Sequence, residues 1–424
     1  MTVKELLELI KGGALDKYDA LYKDTAKAAE RFALAVASFA KLYGEDRDVS
    51  VLSVPGRSEI SGNHTDHTRG TVLCGAIDRD VIAIAAKNDD GVIRIYSEGY
   101  PEDKIEINNV QDPEQYKKYS SAALIAGTVR AFSDREYSVG GFDAYITSDV
   151  LRGSGISSSA AYEVMIGAIL SSLYNEGEID AVELAKIAKY AENEYFGKPC
   201  GLMDQTACAV GGFVYIDFRD ADAPSVVPID FSLSSYGWSI CIVNTGGSHA
   251  DLNEDYASVP GEMCQVAKLL GRDVLRDLTE EDILKNLRNI RRVAGDRAVL
   301  RTLHFLREND RVDAIKSALL SSDIQGFLAG IRESGRSSFE YLQNVYSNAD
   351  VREQGLPLAL ALTEGYLKGK EFAARVHGGG FAGTIQVFIK NEDVPGYIDY
   401  MDSVFGEGAS EAFRIRPKGA TKLF

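Results

Sequence analysis

The sequence has few of the features that mark secreted, membrane or zinc proteins. Its five cysteines in 424 residues are an odd number without CxxC spacing, which argues against a disulfide framework or a zinc site and fits reduced thiols. No apolar run approaches the roughly 18 to 20 residues of a membrane span. The N-terminus lacks a basic segment followed by an apolar one, so we expect no signal peptide and a cytoplasmic protein.

Positive charge is also scarce. Lysine and arginine total 46 against 63 acidic residues, which gives a net charge of −17, and no long basic stretch is present. Nucleic acid and anionic membranes are therefore not expected as partners. No repeat of about 20 to 50 residues recurs, which sets solenoids and propellers aside. The sequence leaves the oligomeric state open between a monomer and a weak homo-oligomer.

Length and pattern predict a two-domain α+β protein. A chain of 424 residues exceeds the size at which a single core stops growing, and a cleft between two domains is a natural ligand site. We place the boundary at residue 212, with domains at 1–212 and 213–424, although no linker composition marks it. Short β-rich runs predict strands at 51–54, 81–86, 92–96, 213–216, 239–243 and 383–389.

Local signals add helices and one hairpin. Apolar spacing predicts a helix over 16–43 and a long helical region over 262–332. The turn Asp89–Gly91 before the alternating strand at 92–96 predicts a hairpin, which argues against a purely parallel sheet.

The first segment that carries chemistry is Gly56–His67, directly after the strand at 51–54. Its arginine, its polar side chains and its glycines suit a sugar, whose neighbouring hydroxyls need donors and acceptors in fixed directions. His64 and Asp66 are the best candidates. A plain turn in which Asn63 and Asp66 bond their own backbone is the alternative. His64 and His67 lack a third ligand nearby, so a metal site is not expected.

The second segment is Leu151–Ala161, which leads into an apolar helix. Its glycines, Gly153 and Gly155, let the backbone fold closely around an anion, and the N–H groups of the following helix favour phosphate. The serines add hydroxyls and a possible Mg²⁺ ligand. The segment matches neither a Walker A loop nor GxGxxG. A capped helix after a flexible turn is the alternative, and the loop alone implies only an anion site.

The third segment is Ala191–Gln205. Pro199 and Gly201 break the preceding helix, and the apolar run that follows predicts Asp204 near the first turn of the next helix, where its ionised form is favoured. An aspartate beside an arginine can accept the proton of a hydroxyl that attacks phosphorus. The alternative makes Asp204 a helix cap and Glu192 a solvated surface charge.

Together these segments resemble the GHMP small-molecule kinases, and within them the galactokinases. Gly56–His67 resembles the galactokinase signature, Gly153–Ala161 the phosphate-binding GLSSSA motif, and Pro199–Gln205 the PCGIMDQ stretch. Arg375–Gly383 resembles the late glycine-rich GAGFGG motif. The four matches stand in family order and span nearly the whole chain. They imply the GHMP two-domain architecture, with mixed sheets and the active site in the interdomain cleft.

The resemblance implies a role for individual residues. Asp204 matches the catalytic aspartate and Arg57 the arginine that steadies it. The residues that match the sugar contacts are Asn63, His64, Asp66, Gly201 and Tyr256. The ATP phosphates would lie on Gly153, Ser154, Gly155, Ser157, Ser158 and Ser159, and Mg²⁺ on Ser159 and Glu192. The implied reaction is direct transfer from ATP to the anomeric hydroxyl of galactose or a close relative.

The departures from the galactokinase pattern concern the substrate. Asn63 stands where galactokinases usually have a glutamate, at a position that faces the O6 end of the sugar. Loss of that charge removes repulsion against a carboxylate, so a C6-oxidised sugar such as galacturonate is an alternative substrate. Around 121–127 the tryptophan and tyrosine that often flank adenine are missing, which leaves the base preference open.

Two further alternatives remain. Another GHMP activity, such as a mevalonate or homoserine kinase, shares the serine loop, but the segment Gly56–His67 speaks against it. A non-catalytic regulator that binds sugar and ATP is the alternative outside the enzymes. The intact serines at 157–159, together with Arg57 and Asp204, favour catalysis.

Overall fold

The computed structural model of the chain describes residues 1–150, 155–221, 223–247 and 252–424. Helices and strands alternate irregularly through these ranges, which confirms the predicted α+β class with mixed sheets. The strands are β1 (Ser50–Ser61), β2 (Thr71–Lys87), β3 (Val92–Ser97), β4 (Asp103–Glu106), β5 (Phe142–Ser148), β6 (Phe213–Asp217), β7 (Ser225–Ile229), β8 (Trp238–Asn244), β9 (Phe372–Val376), β10 (Thr384–Lys390), β11 (Ser410–Phe413) and β12 (Thr421–Lys422).

The helices pack on these strands and connect them. They are α1 (Val3–Lys11), α2 (Thr25–Tyr43), α3 (Ser121–Asp134), α4 (Ser158–Tyr174), α5 (Ala181–Tyr190), α6 (Met203–Val210), α7 (Asn253–Leu269), α8 (Glu280–Ala294), α9 (Asp296–Leu320), α10 (Ile324–Ser337), α11 (Gly355–Tyr366) and α12 (Val394–Phe405). A π-helical turn, Ala191–Phe196, follows α5 directly. Within the described ranges, no helix is long and apolar enough to cross a bilayer.

The larger sheet runs in the order β12-β1-β2-β5-β3-β4, and β6 and β7 extend it beside β2. Its pairs are antiparallel except for β3 with β5. Strand β2 is 17 residues long, so one edge pairs with β1 while the other pairs with β6 near its start and with β5 near its end. β2 is therefore the central strand on which the other strands assemble.

Both faces of β2 are covered. Successive side chains of a strand point to opposite faces, and here alternate residues enter two different cores. Val81, Ala83 and Ala85 pack in the core beneath α4 and α6, whereas Ile82, Ile84 and Ala86 pack against α1 and α2. Coverage on both sides explains why this strand reads as a continuous apolar run.

The smaller sheet runs β11-β8-β10-β9 and is antiparallel throughout. Side chains from it bond to the end of β1. Gln386 donates to Ser58 Oγ at 2.6 Å and to the Glu59 carbonyl at 3.1 Å, and Arg375 donates to the Ile60 carbonyl at 2.7 Å. These contacts bring the glycine-rich turn after β9 next to the residues that follow β1.

The division of the chain between residues 212 and 213 stays a prediction. The strands just past it, β6 and β7, pair within the larger sheet, and so does β12 near the C-terminus. A single cut in the chain therefore does not coincide with the division between the two sheets.

The predicted hairpin at Asp89–Gly91 is wrong, although its strand is present as β3. β5 lies between β2 and β3, and β3 pairs with β5 in parallel over Ile93–Ser97. The turn signal is local and indicates a change of direction, but it carries no information on which strand becomes the neighbour. The prediction that the sheet is not purely parallel is confirmed.

Other boundaries differ in smaller ways. The helix predicted over 16–43 begins at Thr25, because Asp24 accepts a hydrogen bond from the Lys27 N–H and caps it. The helical region over 262–332 is divided among α7, α8, α9 and α10. Strand β1 continues to Ser61, so half of the segment predicted as a polar connection is buried strand. All five cysteines are free thiols.

Replacing Gly211 by alanine tests the joint between α6 and the C-terminal segment. Gly211 has φ +83° and ψ 175°, and an added Cβ would lie 2.0 Å from the Gly419 nitrogen. We expect the substitution to destabilise the protein by more than about 3 kcal/mol, since the backbone strain alone is roughly 1–3 kcal/mol. Gly237→Ala is the control, because Gly237 has φ +75° with no neighbouring atom within 4 Å. Equal losses in thermal unfolding midpoint would contradict the expectation.

Candidate active site

An ion pair between Arg57 and Asp204 forms the centre of the candidate site. Arg57 lies on β1, which continues beyond the predicted strand into the polar segment, and Asp204 lies in the first turn of α6, as the sequence predicts. The guanidinium is bidentate: Nε donates to Asp204 Oδ1 at 2.7 Å and Nη2 to Oδ2 at 2.6 Å. The Arg57 side chain is 11% exposed and that of Asp204 31%, so the carboxylate is the member of the pair that solvent reaches.

The serine turn before α4 closes on this pair. Arg57 Nη1 donates to the Gly155 carbonyl at 2.6 Å, and the Arg57 N–H donates to the Ile156 carbonyl at 3.1 Å. Ser157 has φ 55° and donates its hydroxyl to Asp204 Oδ2 instead of capping α4. A left-handed backbone is unfavourable for serine, so the contact with Asp204 distinguishes this turn from a simple helix cap.

Asp204 stays ionised because of its partners. Burial raises the pKa of this carboxyl. The charge of Arg57 and the hydrogen bonds from Arg57 and Ser157 lower the pKa by more than burial raises it, so the pKa lies below the ordinary value. Bonds from Arg57 Nη2 and Ser157 go to Oδ2, whereas Oδ1 accepts from Arg57 Nε. A carboxylate oxygen has two lone pairs, so Oδ1 has acceptor capacity left.

A cavity of about 220 Å³ opens beside Asp204. Its described wall is mostly polar. The carboxylates on it are Glu59, Asp66, Glu192 and Asp204, the cations are Arg57 and Lys198, and the other lining residues include Asn63, His64, His67, Gly201, Gln205, Gly378 and Gly379. Most of the sugar contacts implied by the resemblance therefore share one cavity with the Arg57–Asp204 pair.

His64 lines this cavity and has an unused acceptor. Its Nε2 lies 2.8 Å from the Gly379 carbonyl and donates to it, which places the proton on that nitrogen. Burial lowers the pKa of the ring, so it is neutral. Nδ1 is buried and has no hydrogen-bond partner among the described residues. A buried orphan acceptor is unusual, and a ligand hydroxyl would satisfy it.

Asn63 is already saturated. Its amide nitrogen donates to Glu59 Oε1 at 2.8 Å and to the Gly378 carbonyl at 2.6 Å, and its oxygen accepts from Asn344 Nδ2 at 2.6 Å. Glu59 is buried, which raises its pKa, and it also accepts from Arg375 at 3.3 Å. The position that lacks the expected glutamate therefore has a carboxyl group directly behind it.

The remaining predicted sugar contacts differ in exposure. Asp66 and Gly201 are in contact on the cavity wall, since a Cβ on Gly201 would lie 3.2 Å from Asp66 Oδ2. Tyr256 does not line the cavity. Its hydroxyl donates to the Gly380 carbonyl at 2.8 Å, and a Cβ on Gly379 would lie 2.8 Å from its ring. Tyr256 thus supports the glycine-rich turn from behind.

Glu192 is buried in the π-helical turn after α5. It accepts from Lys198 Nζ at 2.9 Å and from Gln205 Nε2 at 2.8 Å. The same Gln205 nitrogen donates to Glu163 at 3.1 Å. The alternative in which Glu192 is a solvated surface charge is therefore wrong, because its side chain is only 3% exposed and forms an ion pair with the more exposed Lys198.

The predicted phosphate-binding residues are described only in part. Gly153 and Ser154 lie outside the described residues. Ser158 and Ser159 are the first two residues of α4, half-buried, directly after Gly155 and Ser157. The helix N-terminus therefore begins where the chain touches Arg57 and Asp204.

Helices α9 and α10 hold the turn after β1 in place. His304 Nε2 lies 3.0 Å from the Asn63 carbonyl, and Glu308 accepts from Ser61 Oγ and the Gly62 N–H, each at 3.1 Å. Burial raises the pKa of Glu308, but the nearby His304 and Arg311 lower it to about 2. A fully buried carboxylate thus anchors the backbone that carries Asn63 and His64.

Sequence reasoning missed several residues of the site, namely Glu59, Glu163, Lys198, Gln205, Gly378 and Gly379. Lys198, Gln205 and the two glycines lie within segments that the sequence analysis singled out. Glu163 had a different signal, since it is the one charged residue in the α4 sequence and is fully buried.

Two family descriptions match the chain. "GHMP kinases N terminal domain" matches residues 123–212, and "Galactokinase galactose-binding signature" matches residues 37–87. The first covers the serine turn, α4, α5 and α6, and the second covers β1, the turn after it and β2.

Curated relatives extend the similarity over most of the chain. A galactokinase from Streptomyces coelicolor is 30% identical over 382 residues, covering 89% of this chain and 94% of its own. A galactokinase from Bacillus subtilis is 27% identical and covers 88% of this chain and 97% of its own.

Solved structures share the fold. The galactokinase of Lactococcus lactis, complexed with galactose, superposes with a TM-score of 0.76 at 22% identity and covers 92% of this chain and 99% of its own. The mevalonate kinase of Methanococcus jannaschii reaches 0.61 at 13% identity, covering 87% and 98%. The chain therefore belongs to the galactokinase family of the GHMP kinases and is a sugar kinase, a phosphotransferase that uses ATP.

Proposed function

We propose that the protein transfers the γ-phosphoryl group of ATP to the anomeric hydroxyl of galactose, with Asp204 and Arg57 at the reacting atoms. The observation that supports this is the contact of Ser157 with the Arg57–Asp204 pair, which lines a polar cavity. Proton acceptor, cation and phosphate-binding turn meet there within hydrogen-bond distance. A kinase needs these three elements close together.

Asp204 accepts the proton of the sugar hydroxyl. Asp204 lines the cavity, its Oδ1 has acceptor capacity left, and its lowered pKa keeps it ionised at neutral pH. A carboxylate with a low pKa is a weak base. It suits a loose transition state, in which the hydroxyl loses its proton late and positioning matters more than basicity.

Arg57 orients the Asp204 carboxylate, and its positive charge stabilises the negative charge of the phosphoryl group. Three of its five N–H donors point at Asp204 and Gly155. The other two can meet the oxygens of the transferring group. Because the guanidinium is buried, its field is less screened than that of a surface arginine.

The phosphates of ATP lie on the turn before α4 in this proposal. Gly155 at φ +75° lets the backbone pass close to an anion, and Ser157, Ser158 and Ser159 supply hydroxyl donors at the helix N-terminus. Gly153 and Ser154 belong to the same proposed loop.

Ser159 and Glu192 hold Mg²⁺ in this proposal. Magnesium prefers oxygen ligands and takes one or two carboxylates together with substrate phosphates, which fits a buried glutamate next to a serine-rich turn. Glu192 is oriented by Lys198 and Gln205 before any ion arrives. When bound, the ion neutralises charge on the β- and γ-phosphates.

The sugar hydroxyls bond to acceptors that are in place. His64 Nδ1 lacks a partner among the described residues, and Asp66 lines the cavity next to Gly201. Tyr256 and Asn63 act by supporting this wall, since both already bond to the glycine-rich turn.

A neutral sugar fits the cavity better than a uronic acid. Both amide protons of Asn63 are used by Glu59 and Gly378, so none is left for a C6 carboxylate. Glu59 adds a buried carboxyl group at the same point. The replacement at position 63 therefore does not make this end of the cavity favourable for an anion, and galactose is preferred over galacturonate. A cytoplasmic location and a monomeric or weakly associated state belong to the proposal as well.

Replacing Asp204 by alanine tests the reaction. We expect turnover of galactose to fall by about 10²- to 10⁴-fold, the scale of a lost general base, with little change in ATP affinity. ADP release on addition of galactose is the measurement. Asp89→Ala, in the exposed turn before β3, is the control. Unimpaired turnover in Asp204→Ala would remove this residue from the mechanism, and wild-type protein that binds both ligands without releasing ADP would be a regulator.

Replacing Arg57 by methionine tests the electrostatics. Without the cation, burial is opposed only by the hydrogen bond from Ser157 and the charge of Lys198, so the pKa of the Asp204 carboxyl should rise above its wild-type value. The acid limb of the kcat/KM profile then moves to higher pH, because protonated Asp204 cannot accept the hydroxyl proton. Arg57→Lys keeps a charge and should shift the limb less. The wild-type pair adds stability above pH 4 that is lost as pH falls through the lowered pKa. An unmoved acid limb in Arg57→Met contradicts the proposal.

The choice of sugar is tested with galactose and galacturonate under identical ATP and Mg²⁺. We expect kcat/KM for galactose to exceed that for galacturonate by at least about tenfold. Glu59→Gln removes the carboxyl behind Asn63 and leaves the charge of Arg375 without a carboxylate partner, so the ratio should shrink in that variant. Equal or better turnover of galacturonate by the wild type would reverse the substrate assignment.

A further inference from the structure

Glu163 is a buried carboxylate to which neither the sequence analysis nor the proposed reaction assigns a role. It lies in α4 with 0% exposure, among apolar neighbours. It is four residues after Ser159. Residues at i and i+4 share one face of a helix, so Glu163 lies one turn below the serine in the proposed Mg²⁺ site.

Gln205 holds Glu163 and Glu192 together. Its amide nitrogen donates to Glu192 Oε2 at 2.8 Å and to Glu163 Oε2 at 3.1 Å. The other oxygen of Glu163 and the amide oxygen of Gln205 are buried without a hydrogen-bond partner among the described atoms. Two orphan oxygens beside a pair of carboxylates form a set of acceptors that lacks a donor or a cation.

The charges around Glu163 are not balanced by the chain. In the part of the chain that the structure describes, no lysine or arginine forms an ion pair with it. Lys198 bonds to Glu192 with its side chain 55% exposed, and Arg57 is committed to Asp204. Two carboxylates buried side by side are both ionised only when positive charge arrives from outside, and without that charge one of them takes up a proton.

We propose that Glu163 is a further side chain of the magnesium site, where it adds a second carboxylate to that of Glu192. The inference rests on the proposed function, since the ion arrives with ATP. The described residues hold no cluster of three His, Cys, Asp or Glu side chains suited to bind a metal alone, so the nucleotide phosphates complete the site. Glu163 is thus a positioning residue for the ion, and Gln205 sets its distance from Glu192.

Glu163→Gln tests this with Mn²⁺ as the probe. The affinity of the full-length protein for Mn²⁺ is measured by electron paramagnetic resonance in the presence of a non-hydrolysable ATP analogue, so turnover plays no part. We expect the affinity to fall by about 10- to 100-fold, as for other groups around a metal site. Glu194→Gln is the matched control, because it removes the same charge from an exposed position two residues from Glu192 and should leave the affinity unchanged.

The outcomes separate the possible roles. Glutamine mimics a protonated glutamate in shape and bonding, so unchanged Mn²⁺ affinity in Glu163→Gln would show a neutral structural group and overturn the inference. If thermal melting shows that Glu163→Gln is not folded, the Mn²⁺ affinity of Glu163→Asp is measured instead. This variant keeps the carboxyl group on a side chain that is one methylene shorter. Unchanged affinity there also overturns the inference. Wild-type protein that binds neither the analogue nor Mn²⁺ would refute the proposed function instead.

Discussion

The bidentate contact between Arg57 and Asp204 is the interaction on which the rest of the site depends. It joins β1 to α6 and takes both groups largely out of water, which is favourable only when the geometry is good and other hydrogen bonds complete the shell. Ser157 and the Gly155 carbonyl complete it. The turn that bonds to this pair is the one proposed to bind phosphate, so the ion pair fixes the serine turn and the ionised state of Asp204 together.

The charges of the cavity wall are unfavourable for the phosphates of a nucleotide. Four carboxylates and two cations line the described wall, and both cations already have partners in Asp204 and Glu192. In the proposed function, phosphates therefore bind at a helix N-terminus and hydroxyl groups, and a metal ion offsets the remaining acidic charge. A neutral sugar does not add charge to this wall. Its hydroxyl groups are proposed to bond to the carboxylates and to the orphan nitrogen of His64.

The sequence predicted what is local and ordered along the chain. The strand before Arg57, the helix after the serines and the first turn that carries Asp204 were readable from spacing and turn residues. The position of β3 was not, because sheet neighbours are chosen by packing across the whole domain. The hydrogen-bond partners of Glu163 could not be predicted from the sequence either. A single charge in an apolar helix signals a buried role, but its partners lie more than 25 residues away.

Asn63 shows why a residue's contribution to specificity depends on its neighbours. Read alone, an amide in place of a carboxylate predicts a more favourable site for an anion. The structure uses both amide protons internally, on Glu59 four residues earlier and on Gly378 in the glycine-rich turn after β9, and the amide oxygen accepts from Asn344. The backbone at this point is fixed by His304 and Glu308, so the amide cannot turn outward without breaking several buried bonds. In the proposed function, selectivity at this end of the cavity therefore depends on the buried network and not on Asn63 alone.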